Sequence, residues 1–236
     1  MSRDALKTLI LAASLVCGIS YLVSPGLDLP PLAGMVWKGS GVALLALWAG
    51  LSARNRAGWE ITAIMAFGAL GDVLLEAMGL IPGALAFLVG HRIAIGLYQR
   101  YRRSKLTRSQ MLLALTLVPA VVLTAFFLPA ARSSAWGIAV YALVLSLMAA
   151  TAWTSRFPRY QVGLGAIMFV ASDLLIFARS GPLHGAAWVS FGVWTLYYLG
   201  QVLICRGVVL TLPILEAEDE AAGQAAPPNL SAHSAT

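Results

Sequence analysis

Charged side chains are scarce in this sequence: Asp, Glu, Lys and Arg make up 11% of its 236 residues, against about 25% in a soluble globular domain. That scarcity excludes a chain whose surface faces water on all sides. Cysteine is scarce too. The two present, Cys17 and Cys205, fall inside long apolar runs, which argues against a disulfide framework and reads them as small core residues. The alternating pattern of barrel strands is missing, and with it the membrane β-barrel. So are HExxH, a CxxC pair, a Gly-rich phosphate loop and GxSxG, the signatures of zinc proteases, thiol redox sites, nucleotide-phosphate sites and serine hydrolases. No ligand spacing points to a metal, and none is expected.

What fills the chain instead is apolar: 59% of residues are hydrophobic and the mean hydropathy is +0.81. Eight apolar segments stand out, at about 6–23, 30–51, 60–79, 82–99, 111–128, 134–152, 160–178 and 185–211. Each has the roughly 17–25 residues that a spanning helix needs, and in lipid a helix satisfies its own backbone. The expected fold is an all-α membrane protein, a bundle of eight transmembrane helices forming one domain over residues 1–213. "KTLILAASLVCGISYLV" starts like a signal peptide, but Val16 is a poor small-residue match before Cys17 and the run continues to Val23, so it reads as a retained first helix. Residues 214–236, acidic and then small and Pro-containing, read as a disordered tail.

The net charge of +6 is distributed as topology, not as a nucleic-acid surface. Arg3, Lys7, Arg54, Arg56, Arg100, Arg102, Arg103, Lys105, Arg108, Arg156, Arg159 and Arg206 all fall on one side of the eight spans, and only Arg132 and Arg179 on the other. Both termini are therefore expected in the cytoplasm, with the protein in a bacterial inner membrane. "GDVLLEAMGLIPG" aligns with "SDLLIFARSGPLHG", Asp72 over Asp173, as two four-helix repeats would require.

Lys38 and Arg92 lie within spans, as do several carboxylates. A charge in hydrocarbon costs about 2.5–3.5 kcal/mol even on the insertion scale, so such residues face the bundle interior and usually serve a function. Asp72 lies twelve residues after Glu60, and Asp173 thirteen after Tyr160. At 1.5 Å per residue both stand about 18–20 Å up their helices, at one level. His91, Lys38 and, one turn beyond Asp72, Glu76 approach that level; Tyr197, Tyr198 and Gln201 lie a turn or two deeper. Each also has a structural reading. The aspartates can lock the bundle by interhelical hydrogen bonds, His91 can be a core histidine, Lys38 a carboxylate partner, and the tyrosines packing residues. Glu76, near a helix end, reads as interfacial, and Arg92 as snorkelling or paired.

"GALGDVLLE", "GALAFLVGHRIAI", "GAIMFVASDLLIF" and "TLYYLGQVLICRG" resemble, in that order, signature segments of the YhhN-like lysoplasmalogenase family of integral membrane proteins. The resemblance implies an eight-helix hydrolase that cleaves the vinyl-ether bond of lysoplasmalogens into a fatty aldehyde and a glycerophospho-ethanolamine or -choline, with no cofactor. It carries over Gly71-Asp72, Gly90-His91, Ser172-Asp173, Tyr198 and Gln201. Two positions depart from the family pattern: Ala94 stands where a Tyr is usual, and Gly39 follows Lys38 where a Pro is usual.

On this reading Asp72 and Asp173 form an acid–base pair, either one being the acid. Lys38, Glu76, His91, Tyr198 and Gln201 orient water or hold the headgroup of a lysophospholipid drawn from the surrounding membrane lipid. The competing expectation is a proton- or ion-coupled transporter with Asp72 and Asp173 as relay sites, and a third is a non-catalytic lipid-binding protein.

Overall fold

A computed structural model of the chain describes residues 2–225. It contains eight helices long and apolar enough to cross a membrane, and among the described residues no strand: α1 (Arg3–Ser20), α2 (Pro31–Ser52), α3 (Arg56–Met78), α4 (Leu80–Arg100), α5 (Arg108–Phe127), α6 (Arg132–Thr154), α7 (Leu164–Ala178) and α8 (Trp188–Ala225). The protein is an all-α membrane protein, as its apolar runs predict. A 3-10 turn over Tyr21–Gly26 follows α1, and a π-helical turn over Arg159–Gly163 leads into α7.

Local chemistry sets the helix ends. The Asn55 side chain accepts the Gly58 amide at 2.9 Å and starts α3, and Thr107 with Gln110 forms a capping box at the start of α5. Between α3 and α4 the chain reverses on Gly79 alone, at φ 91°. A side chain is disfavoured in that left-handed region, so the glycine permits the sharp turn.

Consecutive helices pack on one another within each half, and the halves meet where α4 packs on α6 and where α8 packs on α2 and α3. The α7–α8 crossing is close because it is built on glycine: a Cβ on Gly200 would meet the Gly165 carbonyl oxygen at 2.7 Å. Small residues at such crossings let backbones approach where no hydrophobic force drives helices together in lipid.

The two ends of the bundle differ. At the Lys/Arg-rich end the loops are tied down. Arg100 makes a two-pronged pair with Glu60 at 2.8 and 2.9 Å, the Arg156 amide donates to the Tyr101 carbonyl at 2.7 Å, and Tyr98 and Tyr101 pack against Phe157. Here α8 continues to Ala225, through the first part of the segment expected to be disordered. Its acidic residues have partners. Glu218 and Asp219 pair with Arg156 at 2.9 and 2.7 Å, and Glu216 accepts from Asn55. The remainder of that expected tail, 226–236, lies outside the described residues. At the opposite end a cavity of about 710 Å³ opens among Tyr21, Leu27, Lys38, Glu76, Arg179 and Trp194.

Candidate functional site

Residues four apart on a helix share a face, which puts Gly68, Asp72 and Glu76 in one row on α3 and Phe169, Asp173 and Phe177 in one row on α7. Both rows turn inward. Asp72 is 2% exposed and Asp173 5%, and each carboxylate is met by a tyrosine from another helix. The Tyr197 hydroxyl, on α8, donates to Asp72 Oδ2 at 2.8 Å. The Tyr141 hydroxyl, on α6, donates to Asp173 Oδ2 at 2.7 Å. A buried carboxylate needs such donors, because in low dielectric an unpartnered one is costly.

Aromatic rings join the two nests. Phe169 packs edge-on against both His91 and Tyr197, with centroids 4.9 and 5.1 Å apart, and Phe87 lies against Phe169 and Tyr197. His91 Nε2 stands 3.4 Å from the Tyr141 hydroxyl, which links the histidine of α4 to the Asp173 nest. Helices α3 and α7 both pack on α8, so the carboxylates belong to one buried layer bridged by α8 and α4.

The remaining candidates divide. Lys38 donates to Glu76 at 2.6 Å. Glu76 is partly exposed, as its place near the helix end predicts, and both residues line the cavity. Gln201 is buried and, with His91 and Tyr98, lines a void of about 20 Å³. That is room for a single water, and the Tyr98 hydroxyl has no partner among the described residues. Arg92 is exposed on the outer face of α4 and takes part in no ion pair among the described residues, which fits the snorkelling alternative. Ser172 turns away from its neighbour and donates to the Val193 carbonyl at 3.0 Å.

Tyr198 falls outside the cluster. Its hydroxyl donates to the Ser14 carbonyl at 2.7 Å and its ring lies over Gly18 of α1. Adjacent helical residues point about 100° apart, so when Tyr197 faces Asp72, Tyr198 faces α1. The resemblance selects Tyr198; the carboxylate partner is Tyr197. Tyr141, unlike Tyr197, is not among the residues that the sequence singles out, and its signal there is its depth in an otherwise apolar span. Among the described residues no group of three His, Cys, Asp or Glu is placed to hold a metal ion.

The cavity stops just short of the carboxylates, and its lining shows how it relates to them. Glu76 is one turn beyond Asp72, Phe177 one turn beyond Asp173, and Trp194 one turn before Tyr197; all three line it. Cavity and carboxylate layer are thus successive levels of the same three helices. Chemically, the arrangement offers two carboxyl groups in a buried, aromatic-walled layer, one turn from a cavity at one end of the bundle.

The family model of the YhhN family matches residues 33–208, a segment that contains every one of these site residues from Lys38 to Gln201. No curated protein and no solved structure matches the chain. The chain belongs to the YhhN family.

Proposed function

We propose that the protein is an intramembrane hydrolase that cleaves the vinyl-ether bond of lysoplasmalogens. The observation that carries this reading is the pair of buried carboxylates, each held by one tyrosine hydroxyl, one turn below a lipid-sized cavity. A vinyl ether is hydrolysed by protonation of its outer alkene carbon, which leaves an oxocarbenium ion. Water adds to that ion and gives up a proton, forming a hemiacetal, which collapses to an aldehyde and the glycerol hydroxyl. The donated proton stays on carbon, a proton from water replaces it on the carboxyl pair, and the hemiacetal hydroxyl proton passes to the departing glycerol oxygen, so only vinyl ether and water are consumed.

One aspartic acid supplies the proton and the other aspartate receives it from water. Two carboxyl groups in one low-dielectric layer suit this division, because charging both at once is unfavourable. Tyr197 and Tyr141 hold the carboxyl groups in position, and His91 orients Tyr141. Substrate reaches the layer as Glu76, Phe177 and Trp194 give way at the cavity floor. The Lys/Arg distribution supports a cytoplasmic position for both termini and an inner-membrane location.

The transporter reading has less support. A relay site in a transporter is commonly formed by broken helices, whereas α3 and α7 run unbroken through Asp72 and Asp173. The test is to offer defined lysoplasmalogens and ester lysophospholipids to the detergent-purified protein and measure free long-chain aldehyde. Aldehyde from the vinyl ethers alone is expected. No aldehyde from any vinyl ether, together with proton-coupled uptake in proteoliposomes, would replace the hydrolase by the transporter.

A further inference from the structure

Resting on the hydrolase reading, we propose that Arg179 holds the phosphate of the lysolipid substrate, which enters the cavity from the membrane face opposite the basic loops. Sixteen Lys and Arg residues are present in the chain, and the face with the cavity mouth has only Arg132 and Arg179. Arg132 is engaged, donating to the Phe126 carbonyl at 2.7 Å and lying over the Phe126 ring. Arg179 is exposed, makes no ion pair among the described residues, and lines the cavity beside Ser180. The cavity's other cation, Lys38, is already bound to Glu76. A cation kept at a cavity mouth, on a face otherwise depleted of positive charge, is suited to an anion.

The spacing fits a lysophospholipid. Arg179 follows Asp173 by six residues, about 9 Å of rise and about 120° around the helix. The glycerol linker of a lysophospholipid separates phosphate from vinyl ether by a comparable span. With its phosphate at Arg179, the substrate has the length to bring its vinyl ether toward the level of Asp173 once the cavity floor gives way. The other end offers a narrower approach. There Tyr98 and Phe157 are fully buried, and the void that reaches His91 and Gln201 has a volume of only about 20 Å³. The basic-end pocket among Tyr98, Arg102, Arg103 and Thr154, like the cavity, is lined by neither aspartate; what sets the cavity apart is that Glu76, Phe177 and Trp194 in its lining stand one turn from Asp72, Asp173 and Tyr197.

Two measurements test this independently of turnover. In a Cys17→Ala, Cys205→Ala background expressed in a bacterial inner membrane, Ser190→Cys lines the cavity and Ser104→Cys lies in the basic-end pocket. A membrane-impermeant thiol reagent added to intact spheroplasts should label Ser190→Cys, and Ser104→Cys only after permeabilisation. The reverse pattern, or equal labelling of both, overturns the entry side. For the phosphate, binding of a non-hydrolysable 1-O-alkyl lysophosphoethanolamine should weaken about tenfold or more in Arg179→Gln, the scale of a lost hydrogen bond to a charged group. Arg179→Lys should restore part of it, and binding of the phosphate-free 1-O-alkylglycerol should not change.

Equal loss for both ligands, or no loss, overturns the role of Arg179. Glycerophosphoethanolamine, the same phosphate without a chain, should compete poorly. Competition at equal concentration would make this a site for soluble phosphodiesters and overturn lipid loading. Failure of the wild type to release aldehyde sinks the hydrolase reading alone, because labelling and binding are read without it.

Discussion

Asp72 keeps company with charge, whereas Asp173 is surrounded by rings. Asp72 lies one helical turn from Glu76, which Lys38 pairs at 2.6 Å, and accepts the hydrogen bond from Tyr197. Asp173 has the Tyr141 hydroxyl, with His91 behind it, and no cation among the described residues. Phe169 and Phe177 flank it one turn to either side on α7. The aligned segments of the two halves thus end in unlike environments, and two carboxyl groups with unlike environments are what separate acid and base roles require.

The largest effect tests whether both nests matter. Asp72→Asn and Asp173→Asn should each lower the rate of aldehyde release by about 10³-fold, within the range ascribed to general acid–base groups, while thermal unfolding shows that each variant is folded. Were one variant to keep full activity, the two-carboxylate mechanism would fail and the nests would no longer be comparable.

Removing a single hydroxyl from each nest sharpens the contrast. Tyr141→Phe takes away the only hydrogen bond that reaches Asp173 from a side chain among the described residues, and also the contact to His91. Tyr197→Phe leaves Asp72 one turn from the Lys38–Glu76 pair. A hydrogen bond to a charged group is worth about 1.5–3 kcal/mol, so rate losses of about 10- to 100-fold are expected, with Tyr141→Phe the more severe. A greater loss in Tyr197→Phe, measured as kcat on the same lysoplasmalogen, would reverse the ranking of the nests.

How much of this could be read from sequence follows from what each residue's role depends on. The eight spans are legible because length and hydropathy are properties of a single segment, and the helix ends shift by only a few residues except at the C-terminal end of α8, which runs on to Ala225. The burial of Asp72 and Asp173 in one layer follows from counting along two helices. The tyrosines are harder. Which of Tyr197 and Tyr198 meets Asp72 depends on the rotation of α8 against α1 and α3, which no count along α8 provides. Tyr141 reads as ordinary aromatic packing until α6 is seen beside α7. The acidic stretch after Leu215 reads as disordered by composition, because Asn55 and Arg156, which hold it, lie 161 and 62 residues away from Glu216 and Glu218.

A smaller change acts on both nests together. Gly200→Ala places a methyl group against the Gly165 carbonyl oxygen at 2.7 Å, and backbone cannot yield as a side-chain tip does. Because α7 carries Asp173 and α8 carries Tyr197, the crossing they share sets one nest relative to the other. A loss of about 1–3 kcal/mol of stability is expected, as for overpacked cores, read as a lowered midpoint of thermal unfolding in detergent. An unchanged midpoint would show that the crossing is looser than its glycines imply.

The smallest effect belongs to the far end of the bundle and serves as the control for the others. Arg156 reaches Glu218 and Asp219 on the C-terminal extension of α8, all at the water-facing surface beyond the spans. Exposed ion pairs contribute about 0–1 kcal/mol and are screened by salt. Arg156→Gln should therefore lower stability by less than about 1 kcal/mol at low ionic strength, and the difference from the wild type should vanish in about 1 M salt, where the Debye length is about 3 Å. The ratio of Tyr141→Phe to Tyr197→Phe activity should be the same with or without this substitution, since neither nest touches the clamp. A changed ratio would mean that the position of α8 at the basic end is transmitted to Tyr197, and that the two carboxylates differ partly because only one of them is held by the helix that the clamp controls.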